Sequence, residues 1–263
     1  MSSLTLAARD SSTMLRRNLL HARRYPSMTL NLLLTPVMLL LLFVFVFGDA
    51  MSAGLGGGHA DRTEYLAYLV PGILLMTIGS TTIGTAVSVS NDMTEGIIAR
   101  FRTMAIHRGS VLVGHVAGSV LQAVASVVLV GAVGVAIGFR SVDATALDWL
   151  AAFGLLVLFA LALTWIAVGM GLISPNAEAA SNNAMPLIFL PLISSTFVPV
   201  HAMPGWFQPI AQYQPFTPAI ETLRGLLLGT PIGNNWWIAL AWCLGLTVLG
   251  YRWSKAVYDR GAK

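Results

Sequence analysis

The sequence predicts an all-α integral membrane protein with six transmembrane helices, an N-terminal amphipathic interfacial helix, and external re-entrant helices before the last span. Three observations predict it. The 263 residues are 56% hydrophobic and only 10% charged, with a mean hydropathy of +0.75, whereas a soluble domain is about a quarter charged. Apolar runs near the length a bilayer requires, about 20 residues, recur six times. Eight of the twelve prolines fall between Pro186 and Pro231, in an apolar stretch that cannot form one continuous helix.

Residues 1–27 read as a cytoplasmic arm. Leu4, Ala8, Leu15 and Leu19 recur at helical spacing, and Arg9, Arg16 and Arg23 lie on another face. Such a helix rests on the inner membrane surface with its apolar face in lipid; the alternative is that the arginines only enforce topology. Pro26 ends it. Residues 28–253 form the membrane domain, with spans at roughly Met28–Phe47, Leu66–Val89, Val111–Ile137, Leu150–Ile173, Met185–Val200 and Trp236–Tyr251. The long basic arm and long first apolar run argue against a cleaved signal peptide at Gly48–Ala53. Residues 254–263 form a cytoplasmic tail.

Charge sets the orientation. Twelve of the fifteen Lys and Arg residues lie in the arm, in the second loop (Arg100, Arg102, Arg108) and in the tail. By the positive-inside rule both termini are cytoplasmic, which an even span count permits. Trp149, Trp206, Trp236, Trp237 and Trp253 fall near span ends, as an interfacial aromatic belt does. The proline-rich region therefore lies outside, at 201–230. Broken backbone at membrane depth survives only against protein or water, so short re-entrant pieces are expected there. Glu221 and Arg224 sit one turn apart within it and are placed to pair.

Two spans carry polar stripes. Thr77, Thr81, Gly84 and Ser88 share a face of the second, and His115, Ser119, Gln122 and Ser126 share a face of the third. Close helix packing favours such residues; the functional reading is a cavity lined by Thr77, Thr81, His115, Ser119 and Gln122. His115 stands out because ionisable groups within spans are often functional; a neutral, hydrogen-bonded histidine is the plainer reading. The spans hold no Asp, Glu, Lys or Arg at mid-depth, which argues against an ion-driven transporter. There is no GxxxxGK[ST], HExxH, CxxC or GxSxG motif, so neither ATP binding by a phosphate loop nor catalysis is expected in this chain. The lone Cys243 reads as a small hydrophobe. The net charge of +4 follows topology and implies no nucleic acid.

The loop 90–110 reads SNDMTEGIIARFRTMAIHRGS. Asn91 or Asp92 is placed to cap a short helix with Glu95 in its first turn and arginines toward its end. Ile97, Ile98 and Phe101 would form an apolar ridge suited to a partner's groove.

Four segments carry a resemblance: YLVPGILLM (Tyr68–Met76), NDMTEGIIARFR from Asn91, GHVAG (Gly114–Gly118), and FVPVHAMPGWFQPIAQYQPFTPAIETLRGLLLG from Phe197. In order and content they resemble the ABC-2 permease family, of the daunorubicin-resistance DrrB/DrrC type; Ala105, where the family carries proline, is a departure. The resemblance implies a type V exporter-like fold and a permease that is not itself an enzyme. It implies a dimer with a second permease copy or a related permease, and a separate ABC ATP-binding subunit that holds ATP and magnesium. It implies no cofactor in this chain. It places Asp92, Glu95, Gly96, Ile97, Arg100 and Phe101 in a coupling helix, and Met203, Pro204, Gly205 and Trp206 in an external re-entrant turn beside Glu221 and Arg224. The expected cargo is a hydrophobic or amphipathic drug, antibiotic or lipid leaving across a bacterial plasma membrane, with the hairpin as a lid over the exit. The alternatives are a lipid- or polysaccharide-exporting permease of the same family, a membrane enzyme acting on a lipid-linked substrate, and a structural or immunity factor.

Overall fold

The computed structural model describes residues 26–48, 62–94, 108–141 and 144–260. The amphipathic arm, the loop residues 95–107 and the last three residues lie outside them. Helix is the only regular secondary structure among the described residues: α1 Pro26–Phe45, α2 Arg62–Thr94, α3 Arg108–Ala136, α4 Ala146–Ile173, α5 Ala177–Ala184, α6 Pro186–Phe189, α7 Gln208–Tyr213, α8 Phe216–Leu228 and α9 Asn235–Arg260, with short 3₁₀ turns at Leu190–Ile193 and Val200–Ala202.

By length and composition α2, α3 and α4 are each able to cross a membrane. At 1.5 Å per residue the 33 residues of α2 reach about 50 Å, beyond a hydrocarbon core of about 30 Å. Helices α1 and α9 contain the first and sixth expected spans. A capping box starts α4, in which the Thr145 hydroxyl accepts from the Asp148 amide while the Asp148 carboxylate accepts from Thr145.

The ends of α2 at Thr94, α3 at Arg108, α4 at Ile173 and α9 at Arg260 lie together and are termed the lower end; the opposite end is the upper one. Helices α2 and α4 form the centre. Leu69, Ile73, Leu75 and Ile78 of α2, Phe159 and Leu163 of α4, Phe216, Ile220 and Leu223 of α8, and Cys243 of α9 share one buried core. A second cluster at the lower end joins Val89, Leu112, Val116, Trp165, Leu172 and Tyr258.

The expected fifth span is corrected by the structure. Helix begins at Ala177 rather than Met185, because Asn176 caps it by accepting from the Ala179 amide, so most of the expected loop 174–184 is helical. The run then re-forms at Pro186, narrows to a 3₁₀ turn at Pro191 and ends at Ile193. Each proline removes an intrahelical donor, so the run is interrupted where Met185–Val200 was expected to continue.

Residues 91 and 92 differ from expectation as well. They do not cap a new helix but belong to the last turn of α2, which extends to Thr94. The Thr94 hydroxyl donates back to the Ser90 and Asn91 carbonyls.

Candidate functional site

The upper part of the molecule is built around the chain break at 194–197. Four residues there, Ser194, Ser195, Thr196 and Phe197, are buried outside any helix; the Ser194 amide still donates to the Pro191 carbonyl at 3.2 Å, and side chains supply further partners. The Ser194 hydroxyl donates to the Pro191 carbonyl at 2.6 Å and lies 2.8 Å from the Thr196 hydroxyl. The Ser195 amide donates to Thr217 Oγ1 at 3.2 Å. The Ser195 carbonyl accepts from the Tyr68 hydroxyl at 2.9 Å and from Arg224 Nη2 at 3.0 Å.

Arg224 is the hub. It is buried, and all three of its guanidinium nitrogens are hydrogen-bonded. Nη1 meets Glu221 Oε1 at 2.6 Å, Nη2 and Nε donate to the Tyr68 carbonyl at 3.0 and 3.3 Å, and the group lies 3.7 Å over the Tyr68 ring. A planar five-donor fork suits this role where a lysine ammonium does not. Pro71 has no amide to offer the Ala67 carbonyl one turn back, so α2 is already weakened where Arg224 braces it. Gly72 lets the break approach: a Cβ there would lie 2.7 Å from Thr196 Cγ2 and 2.8 Å from its Cα.

The same contacts trace the path of the chain. Leu187 lies against Gly79, halfway along α2, and Phe197 receives the Tyr65 hydroxyl near the upper end. After the exposed residues 201–206 the chain turns back inward. The Tyr213 carbonyl accepts from the Trp242 indole, and Phe216 packs edge-to-face on Phe159 at 4.9 Å. Helix α8 then returns to the upper end, where the Leu227 carbonyl accepts from Ser141, and ends at Gly229 in the left-handed conformation (φ 69°).

The expected hairpin residues therefore divide. Pro204, Gly205 and Trp206 are exposed, Trp206 at 77%, and Met203 is half-buried. Arg224 is interior, with Phe216, Ala219, Ile220 and Leu223 of α8 at 0% exposure. Helix α8 is thus part of the core: its apolar face meets α2, α4 and α9. Beside it, α4, α8 and α9 line an open apolar groove of about 520 Å³ bordered by Gly154, Leu158, Thr222, Leu226, Trp236 and Leu240.

The polar stripes resolve differently. Thr77 and Thr81 are buried, and their hydroxyls donate to their own helix at Ile73 and Ile78. Ser119 and Gln122 are half-buried on α3. His115 is drawn away from this group: its Nε2 lies 3.0 Å from Asp92 Oδ2, with both side chains buried. Of the expected coupling residues only Asp92 is described; Glu95, Gly96, Ile97, Arg100 and Phe101 lie outside the described residues.

Sequence reasoning missed three participants: Tyr68, Ser195 and the Asp92–His115 contact. Tyr68 stood in a quoted motif without a role, and nothing in the spacing marks Ser195. A carboxylate and a histidine on consecutive spans, each close to the shared loop, were a usable signal.

Comparison with known proteins bears on most of the chain. The family pattern for ABC-2 type transporters matches residues 10–228. The daunorubicin resistance ABC transporter permease protein DrrB1 of Streptomyces coeruleorubidus is 30% identical over 88% of this chain and 79% of its own length. The probable doxorubicin resistance ABC transporter permease protein DrrC of Mycobacterium tuberculosis is 23% identical over 68% of both chains. Nodulation protein J of Rhizobium meliloti is 24% identical over 72% of both.

Proposed function

This chain belongs to the ABC-2 type transporter family, and from that premise we propose that it exports a hydrophobic or amphipathic compound, a drug, antibiotic or lipid. As a family member it is a multi-pass, non-catalytic permease, which sets aside the membrane-enzyme alternative. Such permeases work with ATP-binding subunits, and ATP and magnesium belong to that partner.

In this reading the chain crosses a bacterial plasma membrane six times with both termini inside, and a second permease, identical or related, completes the pathway. Residues 92–101 meet the ATPase. Residues 201–230 form the external re-entrant region, with Met203–Trp206 at its turn and Glu221–Arg224 at its root. The carrying observation is the match to a drug-resistance permease along nearly the whole chain. The apolar groove beside α8 is chemically suited to a hydrophobic compound.

The test is reconstitution. The chain should co-purify with a separate phosphate-loop ATPase, and in liposomes a lipophilic drug such as daunorubicin should stimulate ATP hydrolysis and accumulate in inside-out vesicles. Absence of both a partner ATPase and drug accumulation rejects the reading. Accumulation of a lipid but not of a drug moves the substrate class to lipid.

A further inference from the structure

The contact between Asp92 and His115 is not explained by either helix alone. Asp92 sits in the last turn of α2, where a carboxylate opposes the partial negative charge of the helix C-terminus. Both side chains are withdrawn from water, at 7% and 6% exposure, and burying two ionisable groups is costly unless the geometry compensates. The 3.0 Å approach of Nε2 to Oδ2 supplies that geometry. The two residues bracket residues 95–107: Asp92 is the third residue before that segment and His115 the eighth after it.

A second tie leaves the same turn of α2 in another direction. The Ser90 hydroxyl donates to the Ser174 carbonyl at 3.4 Å, and Asn183 of α5 donates to the Ser174 hydroxyl at 3.0 Å. Ser90 and Asp92 thus connect the lower end of α2 to α3 on one side and to the corner between α4 and α5 on the other. From that corner the interrupted run 177–193 rises toward the break at 194–197.

We infer that Asp92 and His115 are a positioning pair that clamps the lower ends of α2 and α3 into one lever around the 95–107 segment. A push on that segment then moves both helices together, and Ser90 and Ser174 pass the displacement to the interrupted run. Without the clamp the apolar packing of Val89, Leu112 and Val116 is left to join the two lower ends, their spacing loosens, and ATP hydrolysis is matched less closely by transport. This inference rests on the permease reading, because the push comes from the partner ATPase.

The test compares two amides of different reach in the full complex with its ATPase subunit. In His115→Gln the amide nitrogen stands near the place of the imidazole Nε2; in His115→Asn it falls short. Spin labels at Asn91 and Val113, both exposed, in a Cys243→Ala background report the spacing of the two helix ends. Parent and His115→Gln should give one narrow distance, and His115→Asn a broad distribution. In proteoliposomes loaded with daunorubicin, transport per ATP hydrolysed should fall roughly tenfold in His115→Asn, within the range of coupling between sites, and recover in His115→Gln. Asp92→Ser, also too short, is the second variant should His115→Asn fail to assemble. An unchanged distance distribution in the short variants, or a parental transport ratio in them, overturns the inference. The distance measurement needs no cargo, so a failure of the export reading is distinguishable from a failure of the clamp.

Discussion

Replacing Arg224 with Met removes the brace of the chain break while nearly conserving volume. Three kinds of contact go. The Tyr68 and Ser195 carbonyls lose a charged donor, Glu221 loses its partner, and the Tyr68 ring loses a cation on its face. Removing one member of a buried ion pair costs about 3–5 kcal/mol. Two features pull the value to the low end: the Ser195 carbonyl keeps the Tyr68 hydroxyl, and Glu221 is 32% exposed, so water partly restores its solvation. A loss of about 3 kcal/mol is therefore expected. At about 2–4 °C per kcal/mol for a chain of this size, the apparent Tm in nanodiscs falls by roughly 6–12 °C. Arg224→Lys should fall between, because one ammonium cannot hold two carbonyls and stack on the ring. Adding Glu221→Gln to Arg224→Met should restore part of the loss by removing the stranded charge. An Arg224→Met protein whose Tm stays within about 2 °C of the parent would refute the bracing role.

Three further outcomes are expected. Gly171→Ala places a Cβ 2.5 Å from the Ala86 carbonyl and 2.9 Å from Val89 Cβ, so overpacking of α2 on α4 should lower stability by about 1–3 kcal/mol in thermal unfolding. Gly154→Ala meets nothing within 4 Å and should instead gain up to about 1 kcal/mol of helix propensity; equal effects at the two sites would discredit the packing. Glu95→Ala should lower substrate-stimulated ATPase activity with membrane insertion intact, measured in the reconstituted complex; full stimulation removes Glu95 from the coupling role.

Much of this was legible along the chain because it depends on local composition. The long apolar runs of α2, α3 and α4 announce themselves, since a segment that must satisfy its own backbone in lipid has to be an apolar helix. The proline count foresaw that the stretch Pro186–Pro231 cannot be one helix, because a missing amide is a property of one residue, but the break was expected after Val200 and the structure places it from Pro186 to Ile193. The spacing of Glu221 and Arg224 foresaw their contact, a matter of a single helical turn. The start of α5 was misjudged because Asn176, a strong cap, was read as part of a loop. Asp92 was misjudged for the converse reason: it resembles a cap but is held inside α2 by a partner 23 residues away.

The sequence by itself determined that the chain is helical, membrane-embedded and unable to form one helix through Pro186–Pro231; these follow from residue types and short spacings, while four quoted segments carried the resemblance to ABC-2 permeases. Only the tertiary structure decided that α8 belongs to the core, that Arg224 serves Tyr68 and Ser195 as well as Glu221, and that His115 faces Asp92 rather than a polar cavity. Those assignments link residues as many as 156 positions apart, and no local periodicity encodes which helix face meets which. The physical reason is that a buried polar group must find its partner in space, and in a bundle that partner is chosen by helix packing rather than by distance along the chain.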